Sequence, residues 1–149
     1  MNVTITTDAS YSAKHNRGTY AFFITSNLGR TSQSGVLRKK CSTPSEAELK
    51  CIINSLVFLS QQKDLFDKCK NIYINTDSLN CIHIWNNDNQ SIYKYKLRPL
   101  QHLMKKPMKD IKRMFKDKSI ELRHIKAHVS TDTKREWVND FCDKAAKTE

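Results

Sequence analysis

The stretch TPSEAELKCIINSLVFL, residues 43–59, is where the pattern of the chain changes from strands to a helix. Thr43 is a good N-cap, Pro44 takes the first helical position, and Glu46 stands three residues after the cap, as in a capping box. Apolar residues then recur at the spacing of one buried helix face, at Leu49, Ile52, Ile53, Leu56 and Leu59. The stretch therefore predicts a helix of about four turns with one face in the core.

Three β-branched or aromatic segments precede this helix. Residues 3–7 alternate in a way that predicts a strand ending near Asp8, and residues 19–25 predict a second strand. A hairpin turn at residues 27–30 leads to a weaker third strand at about 31–37. The first three strands are therefore expected to form an antiparallel meander.

The pattern after the helix alternates strands with helices. Residues 71–76 predict a fourth strand, and Asp77 and Ser78 then cap a helix. A basic loop is expected next, followed by the remaining elements: a helix at about 107–116, a fifth strand at 120–126 and a final helix at 134–147. Such alternation implies parallel strands. We therefore predict an α/β fold with a five-stranded mixed sheet, three antiparallel strands and then parallel strands 4 and 5, flanked by helices.

Composition favours one intracellular domain over residues 1–149. No apolar run approaches the roughly 20 residues that span a bilayer, and the start MNVTITTD does not resemble a signal peptide. The five cysteines are an odd set without CxxC or Cys/His zinc spacing. We expect a reduced, cytoplasmic protein without a membrane or disulfide-linked partner, either a monomer or part of a larger replication protein or complex.

The net charge of +11 is concentrated in the second half of the chain. Residues 86–126 contain twelve Lys and Arg against four Asp and Glu, and the segment at about 86–109 interleaves Tyr93 and Tyr95 with lysines. A polyanion such as nucleic acid would explain this bias. A solvated, lysine-rich helix face is the alternative.

Four carboxylates stand at places where a folded chain could bring them together: Asp8, Glu48, Asp77 and Asp143. Two follow strands, one is in the first turns of the long helix, and one is on the predicted final helix. Ends of parallel neighbours meet at the ligand-binding edge of an open α/β sheet, and Mg²⁺ prefers oxygen ligands. Glu46 competes with Glu48 for this role, and Asp140 with Asp143.

The order of five short motifs resembles type-I ribonuclease H. TDAS, AEL, TDS, KAH and NDFCDKAA occur in the family's order on matching elements, from the first strand to residue 146. The resemblance implies a ribonuclease H-like fold and an endoribonuclease that hydrolyses the RNA strand of RNA–DNA hybrids, leaving 5′-phosphate and 3′-hydroxyl ends. It also implies two Mg²⁺ ions per site during catalysis, with Mn²⁺ as a possible substitute.

The resemblance also carries residue roles. It makes Asp8, Glu48, Asp77 and Asp143 the metal-binding and catalytic carboxylates, and His128 a catalytic residue in the loop after strand five, where His124 is the alternative. The expected substrate-binding residues are Ser10, Asn16, Thr43, Ser45, Trp85, Lys94, Lys96, Arg98, Lys105, Lys106 and Asn139. For Trp85, core or surface packing is the alternative to stacking on a nucleotide.

Three departures from the family pattern concern RNA recognition. Ala9 stands where a Gly is usual, Pro44 and Ser45 take the places of two Asn, and Leu79 takes that of a common Gln. They put the standard reading of 2′-hydroxyls in question and leave the metal ligands in place. Rival functions are another nuclease of the superfamily, such as a junction resolvase, and a nucleic-acid-binding module without catalysis.

Overall fold

The computed structural model describes residues 1–125. Its strands are β1 (Asn2–Ser12), β2 (Arg17–Ser26), β3 (Gly29–Val36), β4 (Asn71–Thr76) and β5 (Ser119–His124). They form a five-stranded sheet in the order β3-β2-β1-β4-β5. The pairs among β1, β2 and β3 are antiparallel, whereas β4 is parallel to β1 and β5 is parallel to β4. This architecture confirms the predicted mixed sheet.

Six helices lie between the strands of the described residues: α1 (Pro44–Gln61), α2 (Lys63–Lys68), α3 (Leu79–Trp85), α4 (Asn89–Lys94), α5 (Arg98–Leu103) and α6 (Lys105–Met114). The start of α1 is fixed as the sequence predicts, because the Glu46 N–H donates to Thr43 Oγ1 at 3.1 Å. In turn, the Glu46 side chain accepts a hydrogen bond from the Ser42 N–H at 3.1 Å. These bonds satisfy backbone donors that a helix N-terminus leaves without partners.

The core lies between α1 and the sheet. All five residues of the predicted apolar face of α1 are buried. They belong to one core cluster with residues at alternate positions of β1, β2 and β4: Val3, Ile5, Phe22, Ile24, Ile72 and Ile74. The start of α1 comes close to β2 at Gly18, where an added Cβ would lie 2.8 Å from the Cβ of Ala47. The packing of α1 therefore sets the height of Glu48 above the sheet.

Two predictions about elements were wrong. Strand β1 does not end near Asp8 but continues to Ser12, because it stays paired with β2 after its pairing with β4 has stopped. The basic segment is not a loop, since it contains α4, α5 and the start of α6. The buried residues Ile92, Leu97 and Met104 anchor these short helices. Short helix α2 was not predicted.

The predicted helix at 107–116 begins earlier in the structure, at Lys105. Pro107 is tolerated there because first-turn N–H groups have no partner within the helix. The last predicted helix, together with His128, Asn139 and Asp143, lies outside the described residues. Among the residues that the structure describes, no helix is long and apolar enough to span a membrane.

Candidate active site

The parallel pair β1 and β4 brings two Thr-Asp dipeptides to the same level of the sheet. The last paired residues of the two strands are Thr6 and Asn75. Thr7 and Thr76 come next, followed by Asp8 and Asp77. Equivalent residues of neighbouring parallel strands share a face of the sheet, so the two threonines lie side by side. Asp8 follows within β1, and Asp77 is the first residue after β4.

Glu48 completes an acidic cluster at this point. Carboxylate oxygens of Asp8, Glu48 and Asp77 all lie within 4.8 Å of one another. Asp8 and Glu48 are 6% and 5% exposed, while Asp77 is half-buried. The cluster stands where β4 ends and β1 continues, so the first turns of α1 can reach past the end of β4.

This geometry is suited to a hard divalent cation. The three side chains offer only oxygen ligands, which Mg²⁺ and Mn²⁺ prefer. Two oxygens on opposite sides of a Mg²⁺ ion would be about 4 Å apart, since each bond is about 2.1 Å long. A separation of up to 4.8 Å is therefore within a small side-chain adjustment of a coordination shell.

Two buried hydroxyls contact one oxygen of the Glu48 carboxylate. Thr7 Oγ1 and Thr76 Oγ1 each lie 3.3 Å from Glu48 Oε1. Thr7 Oγ1 is also 3.3 Å from the main-chain oxygen of Asn75. These hydrogen bonds connect Glu48 of α1 to β1 and β4, the strands that carry or precede the two aspartates.

The competing acid Glu46 is occupied elsewhere. Its side chain accepts the Ser42 N–H and forms an ion pair with Lys50 Nζ at 2.6 Å. Glu48, and not Glu46, is therefore the α1 carboxylate in the cluster. This outcome agrees with the role of Glu46 as the predicted capping-box residue.

Helices α1 and α3 are joined beside the cluster. Asn80 Nδ2 donates to Ser45 Oγ at 3.0 Å, and the Cys81 thiol lies 3.5 Å from the Ser45 carbonyl oxygen. The pKa of Cys81 is raised to about 12, mainly by burial; the hydrogen bond with Ser78 lowers this pKa, and the nearby carboxylates of Glu48 and Asp77 raise it. The thiol is therefore neutral at physiological pH and adds no charge to the acidic centre.

The remaining predicted substrate contacts outside the basic segment lie on different elements. Ser10 is half-buried on β1, opposite Thr19. Asn16 is exposed in the turn before β2, with φ of 50°, and its carbonyl accepts the Cys41 N–H at 2.8 Å. Thr43 is exposed at the start of α1, although its hydroxyl already caps the helix. Leu79, one of the departures from the family pattern, is 49% exposed.

The predicted basic contacts lie on or beside helices α4 to α6, where Lys94, Lys96, Arg98, Lys105 and Lys106 are all exposed. An open groove of about 770 Å³ runs along α5 and α6. Five basic side chains line it: Arg98, His102, Lys105, Lys109 and Lys112. The segment is therefore a cationic surface built on helices.

Trp85 has a different position from the other predicted contacts. It is 6% exposed and belongs to the main core cluster. Lys112 Nζ lies 4.8 Å from the centre of its ring and donates to its carbonyl oxygen at 2.9 Å. This position favours core packing, the alternative reading, over stacking on a nucleotide.

Sequence reasoning missed the threonines and Asn80. The sequence did contain a signal for Thr7 and Thr76, because a Thr-Asp dipeptide stands at the end of each of two predicted strands. Within such a dipeptide, alternation along the strand directs the Thr side chain differently from the Asp side chain. No local pattern pointed to Asn80, since its partner Ser45 is 35 positions away. His124, the alternative to His128, lies at the end of β5 and pairs with Thr76.

Comparison with known proteins gives one family. A sequence model of RNase H matches residues 1–149 of this chain. A search among curated proteins finds no match.

Several solved structures have a similar fold. RNase H1 from the halophilic archaeon Halobacterium salinarum NRC-1 has a TM-score of 0.66 and 11% identity, with 100% of both chains covered. LC11-RNase H1, isolated from compost by a metagenomic approach, has a TM-score of 0.67 and 20% identity over 97% of this chain and 98% of that one. The same enzyme in complex with an RNA/DNA hybrid has a TM-score of 0.66 and 19% identity, with 97% and 99% covered.

Proposed function

This chain belongs to the RNase H family, and from that premise we propose that it is a metal-dependent endoribonuclease that hydrolyses the RNA strand of RNA–DNA hybrids. One observation carries the proposal: carboxylate oxygens from β1, α1 and the end of β4 converge within 4.8 Å. Three like charges at such distances repel one another by roughly 3 kcal/mol per pair at an effective dielectric constant of about 20. A site that retains this arrangement is explained by a cation that offsets the repulsion.

The proposed roles rest on position for the described residues and on the family resemblance for Asp143 and His128. Asp8, Glu48 and Asp77 hold the metal, with Asp143 added by the family resemblance. When bound, Mg²⁺ or Mn²⁺ supplies the activation of water and the stabilisation of the leaving oxygen. His128 is proposed to move a proton, for which an imidazole with an ordinary pKa of about 6.5 is suited. Cleavage would leave 5′-phosphate and 3′-hydroxyl ends.

The cationic surface on α4 to α6 is proposed to bind the hybrid through its phosphates. Its basic side chains are exposed, and five of them line one groove: Arg98, His102, Lys105, Lys109 and Lys112. Phosphate contacts position a nucleic acid without reading its sequence, and their release of counterions makes affinity fall with salt. LC11-RNase H1, a structural neighbour, has been solved with an RNA/DNA hybrid, which supports a hybrid as the substrate class.

Selectivity for RNA is proposed to depend on contacts with the 2′-hydroxyl, a group that both donates and accepts hydrogen bonds. Ala9, Ser45 and Leu79 depart from the family pattern near the acidic cluster. Of these, Ser45 already accepts a bond from Asn80, and Leu79 presents an exposed apolar side chain. Cleavage of hybrids with a single ribonucleotide would measure how strictly the site requires this group.

A gel assay tests the function directly. End-labelled RNA–DNA hybrid, duplex DNA, duplex RNA and a four-way junction are each incubated with and without Mg²⁺ or Mn²⁺. We expect cleavage of the RNA strand of the hybrid only when metal is present. Asp77→Asn serves as the inactive variant, and Asp67→Asn, which removes an exposed carboxylate from α2, serves as the matched control with normal activity.

Two other results would replace this proposal. Metal-dependent cleavage of the junction, with the hybrid left intact, would identify a resolvase-like nuclease. Tight binding of nucleic acid with no cleavage under any metal condition would identify a binding module.

A further inference from the structure

The two Thr-Asp dipeptides have a second chemical feature besides their aspartates. Thr7 and Thr76 are both 0% exposed, although each carries a hydroxyl. They stand side by side, one residue beyond the last paired residues of β1 and β4, and face the helix α1. A buried hydroxyl needs a hydrogen-bond partner, because an unsatisfied one costs about 1–3 kcal/mol.

Both hydroxyls find the same partner atom, Glu48 Oε1, at 3.3 Å. For Thr76 the direction of the bond is fixed by a neighbour, since the Ser78 N–H donates to Thr76 Oγ1 at 3.2 Å. Because Thr76 Oγ1 accepts that N–H, its hydroxyl proton is donated to the Glu48 carboxylate. Thr76 thus connects the N-cap residue of α3 to the acid on α1.

The direction of the hydrogen bond is also fixed for the Thr7 hydroxyl. Its hydroxyl lies 3.3 Å from two acceptors, Glu48 Oε1 and the Asn75 carbonyl oxygen. Neither atom can donate, so Thr7 must be the donor. A carboxylate is the stronger acceptor of the two, because hydrogen bonds to charged groups are about twice as strong as neutral ones.

We propose that Thr7 and Thr76 are positioning residues that hold the Glu48 carboxylate ready for a divalent metal, a role that rests on the proposed function. Repulsion from Asp8 and Asp77 favours turning the flexible Glu48 side chain away from the cluster. Two donors on one oxygen oppose that movement and fix the plane of the carboxylate. The cluster is then organised before metal binds, which lowers the cost of binding.

The test compares hydroxyl removal with hydroxyl retention. Thr7→Val and Thr76→Val keep the branched shape and remove the donor, whereas Thr7→Ser and Thr76→Ser keep the donor. Binding of Mn²⁺ alone to the substrate-free protein is measured by isothermal titration calorimetry. We expect each Val variant to bind about tenfold more weakly and the double variant up to about 100-fold, the range for partners of metal ligands. The Ser variants should bind nearly as the unaltered protein does.

Thr25→Val is the matched control, because Thr25 Oγ1 donates to the Thr4 carbonyl at 3.5 Å, four residues along β1 from Asp8. Its Mn²⁺ affinity should not change. In the cleavage assay, the Mg²⁺ concentration for half-maximal rate should rise in the Val variants while the rate at saturating Mg²⁺ largely recovers. A purely structural role would lower the unfolding temperature and leave this metal dependence unchanged.

The outcomes separate the two proposals. If the unaltered protein binds Mn²⁺ and cleaves hybrid, but the double Val variant binds Mn²⁺ equally well, the positioning role is refuted and the function stands. If the unaltered protein neither binds Mn²⁺ nor cleaves hybrid, the proposed function itself is refuted. Each single variant tests the role independently, so failure of one to fold leaves the other as the test.

Discussion

The acidic cluster and the cationic surface differ in how the fold specifies them. The cluster consists of three carboxylates on β1, α1 and the end of β4, brought within 4.8 Å. Two of these residues are buried, and neighbouring hydroxyls hold Glu48. The cationic surface consists of exposed side chains on short helices, whose buried residues fix the backbone and leave the charged ends in solvent.

This difference separates two kinds of function. In the cluster, the exact place of each oxygen matters, because a small cation requires its ligands at about 2.1 Å. On the cationic surface, the number of charges matters more than their exact places, because the phosphate term in binding is largely additive and independent of sequence. Substitutions in the cluster should therefore change the rate, and substitutions on the surface should change affinity and its salt dependence.

The largest expected effect comes from Asp8→Asn. The change removes one anionic ligand and keeps the size of the side chain. Metal clamps contribute several kcal/mol to charge stabilisation, and about 4 kcal/mol corresponds to a thousandfold in rate. We expect kcat on hybrid to fall at least about a thousandfold, measured at saturating Mg²⁺, with hybrid affinity changed little.

The stability of Asp8→Asn distinguishes this effect from loss of fold. Removing one charge relieves repulsion with Glu48 and Asp77, so the variant should unfold at the same temperature as the unaltered protein, or higher, in metal-free buffer. Near-normal activity of the variant would show that the carboxylate cluster has been assigned the wrong role. A variant that is inactive and also less stable would mean that Asp8 acts mainly through the fold.

A smaller effect is expected on the cationic surface. Lys105→Ala with Lys106→Ala should weaken hybrid binding by about tenfold at low salt and flatten the plot of log K against log salt by up to about 1.8, at roughly 0.9 per phosphate contact. Fluorescence anisotropy with labelled hybrid would measure both. The matched control replaces Lys63 and Lys68, exposed lysines on α2, and should leave the salt dependence unchanged.

The two regions also differ in how far sequence could predict them. Around the cluster, local rules placed two acids along the chain: the cap at Thr43 and the apolar face of α1 placed Glu48, and the strand pattern placed Asp77. The capping bond of Glu46 distinguished it from Glu48. The sequence could not predict that the three carboxylates meet, because their meeting depends on the parallel pairing of β1 with β4. That pairing joins residues about seventy positions apart, such as Thr6 and Asn75.

In the basic segment, local rules failed. Helices α4 and α5 have six residues each, too few for apolar periodicity to be visible. They form because Ile92 and Leu97 are buried against the rest of the domain. Tertiary packing thus overrides the loop-like composition of a stretch rich in Asn, Lys and Tyr. The extension of β1 past Asp8 also depends on tertiary structure, because β2 stays paired with β1 as far as Ser12.

The smallest expected effect lies where the cluster depends on local structure, at Thr43. Its hydroxyl caps α1 by accepting the Glu46 N–H at 3.1 Å, and α1 carries Glu48. Thr43→Ala should lower the free energy of unfolding by about 1 kcal/mol, while Thr43→Ser should retain most of it; urea denaturation would measure both. If Thr43 also contacts a phosphate, Thr43→Ala should weaken hybrid binding in addition. A loss of stability without a change in affinity would assign Thr43 to the helix alone and restrict phosphate binding to the cationic surface.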